Sequence, residues 1–87
     1  TTTELADELV GGFLSAGPER LTAAARAGVP QVVSVGALDM VNFHGVETVP
    51  AKFAGRTFYR HNANVTLMRT TPAECRELGR EIGRKLA

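Results

Sequence analysis

The sequence has no tryptophan, one cysteine, four phenylalanines and one tyrosine. A lone Cys75 excludes an internal disulfide and any cysteine-rich zinc site. Such sparing use of cysteine points to a reducing, cytoplasmic setting. Neither sign of charge dominates: the formal net charge is +1. That leaves no electrostatic footprint for direct nucleic-acid or anionic-lipid binding. No apolar run approaches the roughly 20 residues that cross a bilayer, so no membrane span is expected. The opening residues 1–8 have neither the basic start nor the apolar core of a signal peptide. The patterns GxxxxGK[ST], GxGxxG and Gly-x-Ser-x-Gly are all missing. Their absence removes the usual phosphate-cradling loops and the serine-hydrolase elbow. With no catalytic motif in view, binding is expected rather than catalysis.

What is present reads as globular. Hydrophobic residues make up 44% and charged residues 22% of the 87, which argues against disorder and coiled coil. A domain this small buries only about 60–65% of its unfolded surface, so stability is marginal without a staple or partner. The expectation is a single α/β domain or a fragment of a larger one, completed by the rest of a longer chain or by a second subunit.

Local patterns place the elements. Thr1 and Glu4 fit a capping box ahead of Leu5, Leu9 and Phe13, predicting a first helix that stops at Gly11-Gly12. A strand usually precedes such a cap in α/β proteins, so a preceding segment is expected. Gly17-Pro18 opens a second helix, with Leu21, Ala24 and Ala25 as a narrow stripe for close packing on a sheet; Gly28 and Pro30 stop it. The run Gln31-Val32-Val33-Ser34-Val35 does not alternate, which suits a strand covered on both faces of a parallel sheet. The fold class predicted is thus a three-layer α/β arrangement, with a parallel or mixed sheet and flanking helices.

Residues 36–50 show no regular period and read as a long functional loop. Residues 50–54 form one helical turn. Residues 57–60 and 65–69 read as strands, joined by His61-Asn62-Ala63-Asn64 as a hairpin turn or a loop into a parallel strand. The last helix has Thr71 as cap, Pro72 as first residue and Glu74 closing a capping box. Cys75, Leu78, Ile82 and Leu86 follow its apolar spacing, which makes Cys75 a buried structural thiol. Gly79 and Gly83 beside that stripe imply close packing on their side. Arg76, Arg80 and Arg84 interleave with Glu77 and Glu81 as a solvated mixed-charge face.

The chemistry-bearing residues cluster after residue 35. Gly36 lets backbone approach a ligand, and Asp39, Asn42 and His44 supply a carboxylate, an amide and an imidazole. They suit a sugar hydroxyl, a bound water or Mg²⁺ held through Asp39. The alternative is a structural loop whose polar groups satisfy its own backbone. Asp39 with His44 and His61 lacks metal-ligand spacing, so no resident metal is assigned. Arg69, at a strand-to-helix junction, is placed to meet an anion, with plain helix capping as the alternative. Leu38, Met40, Val41 and Phe43 mark this loop as buried, or as packed on a second domain or subunit.

Three stretches resemble a known family. They are AGVPQVVS (residues 27–34), GALDMVNF (residues 36–43) and HNANVTLMRTTPAE (residues 61–74), with the opening TTTELADE (residues 1–8) matching as well. Together they resemble the Tm-1-like ATP-binding family, which includes the N-terminal part of a tomato virus-resistance protein. The resemblance implies an internal piece of the second of two α/β domains in a protein several times longer. It implies ATP as a ligand, with Mg, and for the plant member inhibition of viral RNA replication through binding the replication protein. One departure is visible: His44 stands before Gly45, where the family pattern places glycine directly after Asn-Phe. The expected function is a nucleotide- or small-ligand-binding module through Gly36, Asp39, Asn42, His44 and Arg69. The alternative is a protein-interaction or oligomerisation domain without catalysis.

Overall fold

The computed structural model describes residues 1–86. Helix α1 spans Thr3–Val10 and α2 Ala23–Ala27. Strand β1 spans Met40–Phe43, β2 Phe58–Asn62 and β3 Val65–Arg69. Helix α3, Pro72–Leu86, closes the described chain. Two 3-10 turns, Val46–Thr48 and Ala51–Phe53, lie between β1 and β2.

The described residues form one three-stranded sheet of order β1-β3-β2, antiparallel throughout. This corrects the expected parallel, three-layer arrangement. Helix α1 packs against β1 and α3, and both helices join Val41, Phe43 and Met68 in one core, while the opposite face of the sheet is open at Tyr59 and Arg69 and covered by Asp7 at Asn42. The core joins Leu5 and Ala6 of α1, Val41 and Phe43 of β1, Phe53, Met68 of β3, and Leu78 and Ile82 of α3. Phe43 and Phe53 pack within it at a ring-centroid distance of 5.9 Å, and the exposed Phe13 covers Phe43 from outside at 5.4 Å.

The largest departure concerns residues 31–35. They form no strand, Val32 is fully exposed and Val35 largely so. The strand lies further on, at Met40–Phe43, inside the stretch expected to be an irregular loop. A buried strand needs a hydrogen-bonding neighbour. Residues 40–43 find one in β3, pairing Val41 with Met68 and Phe43 with Thr66. On β1's far side, Asn42 is already satisfied. Its N–H donates to Asp7 Oδ1 at 2.6 Å, and its carbonyl accepts the Phe13 N–H at 2.8 Å. That closes the middle of the edge on which residues 31–35 would have paired.

The first capping box does not form. Thr2 occupies the cap position, and the Thr1 hydroxyl donates instead to the Gly36 carbonyl at 2.5 Å. Helix α1 ends where expected, at Gly11, whose φ of 108° is left-handed. The second helix is shorter than expected and buries no residue, but it stops at Gly28 as its sequence implies. β2 and β3 form a hairpin; Asn62 Oδ1 accepts the Asn64 N–H at 2.8 Å, the side-chain turn that its asparagines suggest.

The α3 capping box is present in full. Thr71 N–H donates to Glu74 Oε1 at 2.9 Å, and Glu74 N–H donates to Thr71 Oγ1 at 3.1 Å. Arg56 adds an ion pair to Glu74 at 2.6 Å and donates to the Arg69 carbonyl at 2.8 Å, tying the β2 approach to the α3 start. Burial alone would raise the Glu74 carboxyl. The Thr71 N–H and the Arg56 guanidinium more than offset it and hold the group below its ordinary 4.5. A depressed carboxyl stabilises the fold above its ordinary pKa, and the gain is lost as pH falls through the lowered value. Glu74→Gln is therefore expected to cost about 1 kcal/mol in urea unfolding at neutral pH, and less in acid. An equal cost at both pH values would contradict this account.

Cys75 is exposed, not buried, with its Sγ 3.2 Å from Thr70 Oγ1. Gly79 and Gly83 also face open space: a Cβ on either meets nothing within 4 Å among the described residues. The expected close packing on that side is absent among the described residues; a cavity shared with Val35, Ala37 and Leu38 lies beside Cys75 and Gly79 instead. The mixed-charge face of α3 is as expected, with Arg80–Glu77 and Arg84–Glu81 ion pairs.

Candidate functional site around Asp39 and Arg69

The five sequence-derived candidates divide between two places. Asp39 and Arg69 come together: β1 begins just after Asp39, Met40 pairs with Arg69, and Arg69 Nη1 lies 3.8 Å from Asp39 Oδ2. Both side chains are about half exposed or more. Their pairing is loose, which leaves polar valence for a ligand. Thr70 locks the junction behind them. Its N–H donates to the Asp39 carbonyl at 3.0 Å and its hydroxyl to the Leu38 carbonyl at 2.9 Å. The backbone around Asp39 is thus fixed while its carboxylate stays free.

Gly36 lies in the loop leading to Asp39, followed by Ala37 at a φ of 61°. A left-handed alanine is strained, and it sits at the edge of a cavity of about 570 Å³. Val35, Leu38, Asp39, Cys75, Gly79 and Ile82 complete the lining. Its volume falls in the range that small-molecule sites occupy, and apolar walls with few polar groups are their usual make-up.

Asn42 and His44 lie elsewhere. Asn42 is buried, and its amide donates to Asp7 Oδ2 at 2.9 Å. His44 is exposed beyond the far end of β1, its ring centroid 4.8 Å from that of Phe13. His61 is on β2, so Asp39, His44 and His61 do not converge. Among the described residues, no group of three or more His, Cys, Asp or Glu side chains is arranged to hold a metal. The free backbone N–H groups at the α3 start are also few: Glu74 N–H is taken by Thr71 Oγ1 and Cys75 N–H by the Thr71 carbonyl. An anion at Arg69 would rely on the guanidinium, not on the helix end.

Sequence reasoning missed Asp7. It is the buried carboxylate of the chain's interior, 1% exposed, and it closes β1's outer edge through Asn42. A Cβ on Gly12 would collide with the Asp7 carboxylate and with Val41. The Gly11-Gly12 pair was the one hint of such close approach. Arg56 also went unnoticed, because its partner Glu74 lies 18 residues away.

The whole chain, residues 1–87, matches the model of the uncharacterised protein family (UPF0261) C-terminal domain. The chain belongs to this family. A UPF0261 protein of Clostridium tetani is 63% identical over 86 residues, covering 99% of this chain and 21% of that protein. A Rhizobium meliloti UPF0261 protein is 60% identical over 99% of this chain and 22% of its own length. The ToMV resistance protein Tm-1(GCR237) of Solanum lycopersicum is 45% identical over 99% of this chain and 11% of its own length. The family expected from GALDMVNF and NVTLMRTTP is therefore the family found. The chain spans about a fifth of the length of its bacterial relatives. No helix among the described residues is long and apolar enough to cross a membrane.

Proposed function

We propose that this chain is a nucleotide- or small-ligand-binding module whose site centres on Asp39 and Arg69. The observation that carries the reading is the cavity beside Asp39: it has ligand size, apolar walls, one available carboxylate and a strained residue at its edge. Arg69 supplies the charge for a phosphate, and Asp39 supplies a ribose-hydroxyl or Mg²⁺ contact. ATP is the ligand that the Tm-1-like resemblance suggests. Asn42 is not part of this site, because Asp7 holds it. The reading is one of binding, without an assigned reaction.

Asp39→Ala is expected to weaken Mg-ATP binding about tenfold, the loss of one charged hydrogen bond, in an amide NMR titration of the chain. Peak dispersion should be unchanged, since the Asp39 side chain is half exposed. Unaltered affinity in the folded variant would sink the assignment.

A second reading has its own observation. Val29, Val32 and Val35 are exposed along one irregular segment, and apolar residues gathered this way suit a protein interface. The module then serves assembly with the rest of a longer chain or a second subunit.

A further inference from the structure

The sheet's open face carries Tyr59, which neither the larger cavity nor the core uses. Strand register sets which side chains share it. Tyr59 lies opposite Leu67, and Leu67 opposite Asn42; Met40 lies opposite Arg69. Side chains alternate along a strand, so Met40, Asn42, Tyr59, Leu67 and Arg69 share one face; Asp7 of α1 covers Asn42 at its β1 edge, and Tyr59 and Arg69 stay exposed. The intervening residues Val41, Phe43, Thr66 and Met68 are the ones buried under the helices.

On that open face Tyr59 and Arg69 are diagonal neighbours, two strand positions apart across the β2–β3 pair. Such neighbours are about 7–8 Å apart, within reach of long side chains. Tyr59 is 64% exposed. A shallow cavity of about 210 Å³ lies here, lined by Asp39, Met40, Tyr59, Leu67 and Arg69 together with Thr57 and Phe58. This is less than the volume that encloses a whole drug-sized ligand. It suits one flat ring on an apolar floor, with the remainder of the ligand reaching outward. Asp39 borders both this cavity and the larger one.

We propose that the open sheet face binds a nucleoside phosphate, stacking its base on Tyr59 and setting its phosphate against Arg69. The chemistry is complementary at each point. An exposed aromatic ring offers a π-face that any base can stack on. A guanidinium held only loosely by Asp39 offers paired N–H donors to phosphate oxygens. The Asp39 carboxylate, next to both, is placed to accept from a ribose hydroxyl. The proposal rests on the nucleotide reading of the Asp39–Arg69 site and adds where the base lies and which residue receives it.

Tyr59 is the only tyrosine and the sequence has no tryptophan, so its ring resonances in NMR are unambiguous. The experiment titrates the chain with AMP, and separately with ribose 5-phosphate, which has no base. The expected result is saturable upfield movement of the Tyr59 ring signals with AMP alone. AMP affinity should fall about tenfold in Tyr59→Ala, a stacking loss, and be kept in Tyr59→Phe. Arg69→Ala should weaken both ligands. Shifts confined to residues 35–39 and 75–82, with Tyr59 unmoved, would overturn the stacking site and leave the larger cavity as the nucleotide site. Equal binding of AMP and ribose 5-phosphate would overturn base recognition. No shift anywhere would overturn both the stacking site and the nucleotide reading beneath it.

Discussion

Phe43→Ala should lower the unfolding free energy by about 3–5 kcal/mol, the usual cost of truncating a buried phenylalanine. The ring is 1% exposed and sits between Phe13 and Phe53. Native domains have roughly 0.05–0.15 kcal/mol of stability per residue, so the loss is a large part of the total for a chain of this size. Urea unfolding followed by circular dichroism checks it. The competing expectation, that residues 38–43 form an apolar docking loop, predicts a change in sedimentation with little change in stability. The packing favours the first outcome, because Val41 and Phe43 are spent inside the chain's own core. A docking role falls more naturally to Val29, Val32 and Val35, which are exposed. A Phe43→Ala variant of unchanged stability would remove the ring from the core and return it to an interface.

How legible each part was depends on the range of the interactions that decide it. The α3 cap is written within Thr71-Pro72-Ala73-Glu74: the deciding hydrogen bonds run only between Thr71 and Glu74. The strands β2 and β3 and the asparagine turn between them are similarly local, but whether they pair as a hairpin or lead into a parallel strand was open in the sequence, and the antiparallel register decides it. The choice between residues 31–35 and residues 40–43 as a strand is not local. By composition the valine-rich run is the better strand former. The interrupted Met40-Val41-Asn42-Phe43 prevails because its alternate residues meet Met68 and Thr66 in register and its outer edge is closed by α1. Neither fact is visible within a short window. Cys75, Gly79 and Gly83 depend on range as well. Their placement on or beside an apolar stripe implied cover, and the helix's own spacing does not say which element supplies it; among the described residues none does. At the candidate site, Asp39 was legible as a polar residue of a loop and Arg69 as one at a strand-to-helix junction, but their pairing follows from the antiparallel register. Asn42 shows the same limit from the other side: an amide amid apolar residues signals a buried partner as readily as a ligand, and here its amide meets Asp7, 35 residues away.

Asp7→Ala is expected to cost about 3 kcal/mol, although it removes a buried charge. The carboxylate accepts from the Asn42 N–H and from the Asn42 amide. Deleting it strands these donors at a sheet edge that water does not reach. Each buried donor left unpaired costs about 1–3 kcal/mol, partly offset by relief of the carboxylate's own desolvation. The pH dependence separates these contributions. Burial is the main influence on Asp7 and pushes its carboxyl above the ordinary 3.8; the Asn42 and Leu14 hydrogen bonds recover only part of that, and Glu4 nearby adds to the rise. A raised carboxyl favours the folded state fully below 3.8 and loses that advantage as pH climbs through the raised value. Glu74 acts in the opposite sense over the acid range. The penalty of Asp7→Asn, measured against the parent chain by urea unfolding, should therefore shrink between mildly acid and neutral pH. Asparagine keeps an oxygen for the Asn42 N–H but sets a second amide donor against the Asn42 amide, so its cost should stay below that of alanine. A penalty that grew with rising pH would mean that the ionised carboxylate is favoured in place, and the edge-closing hydrogen bonds would then outweigh the burial of the charge.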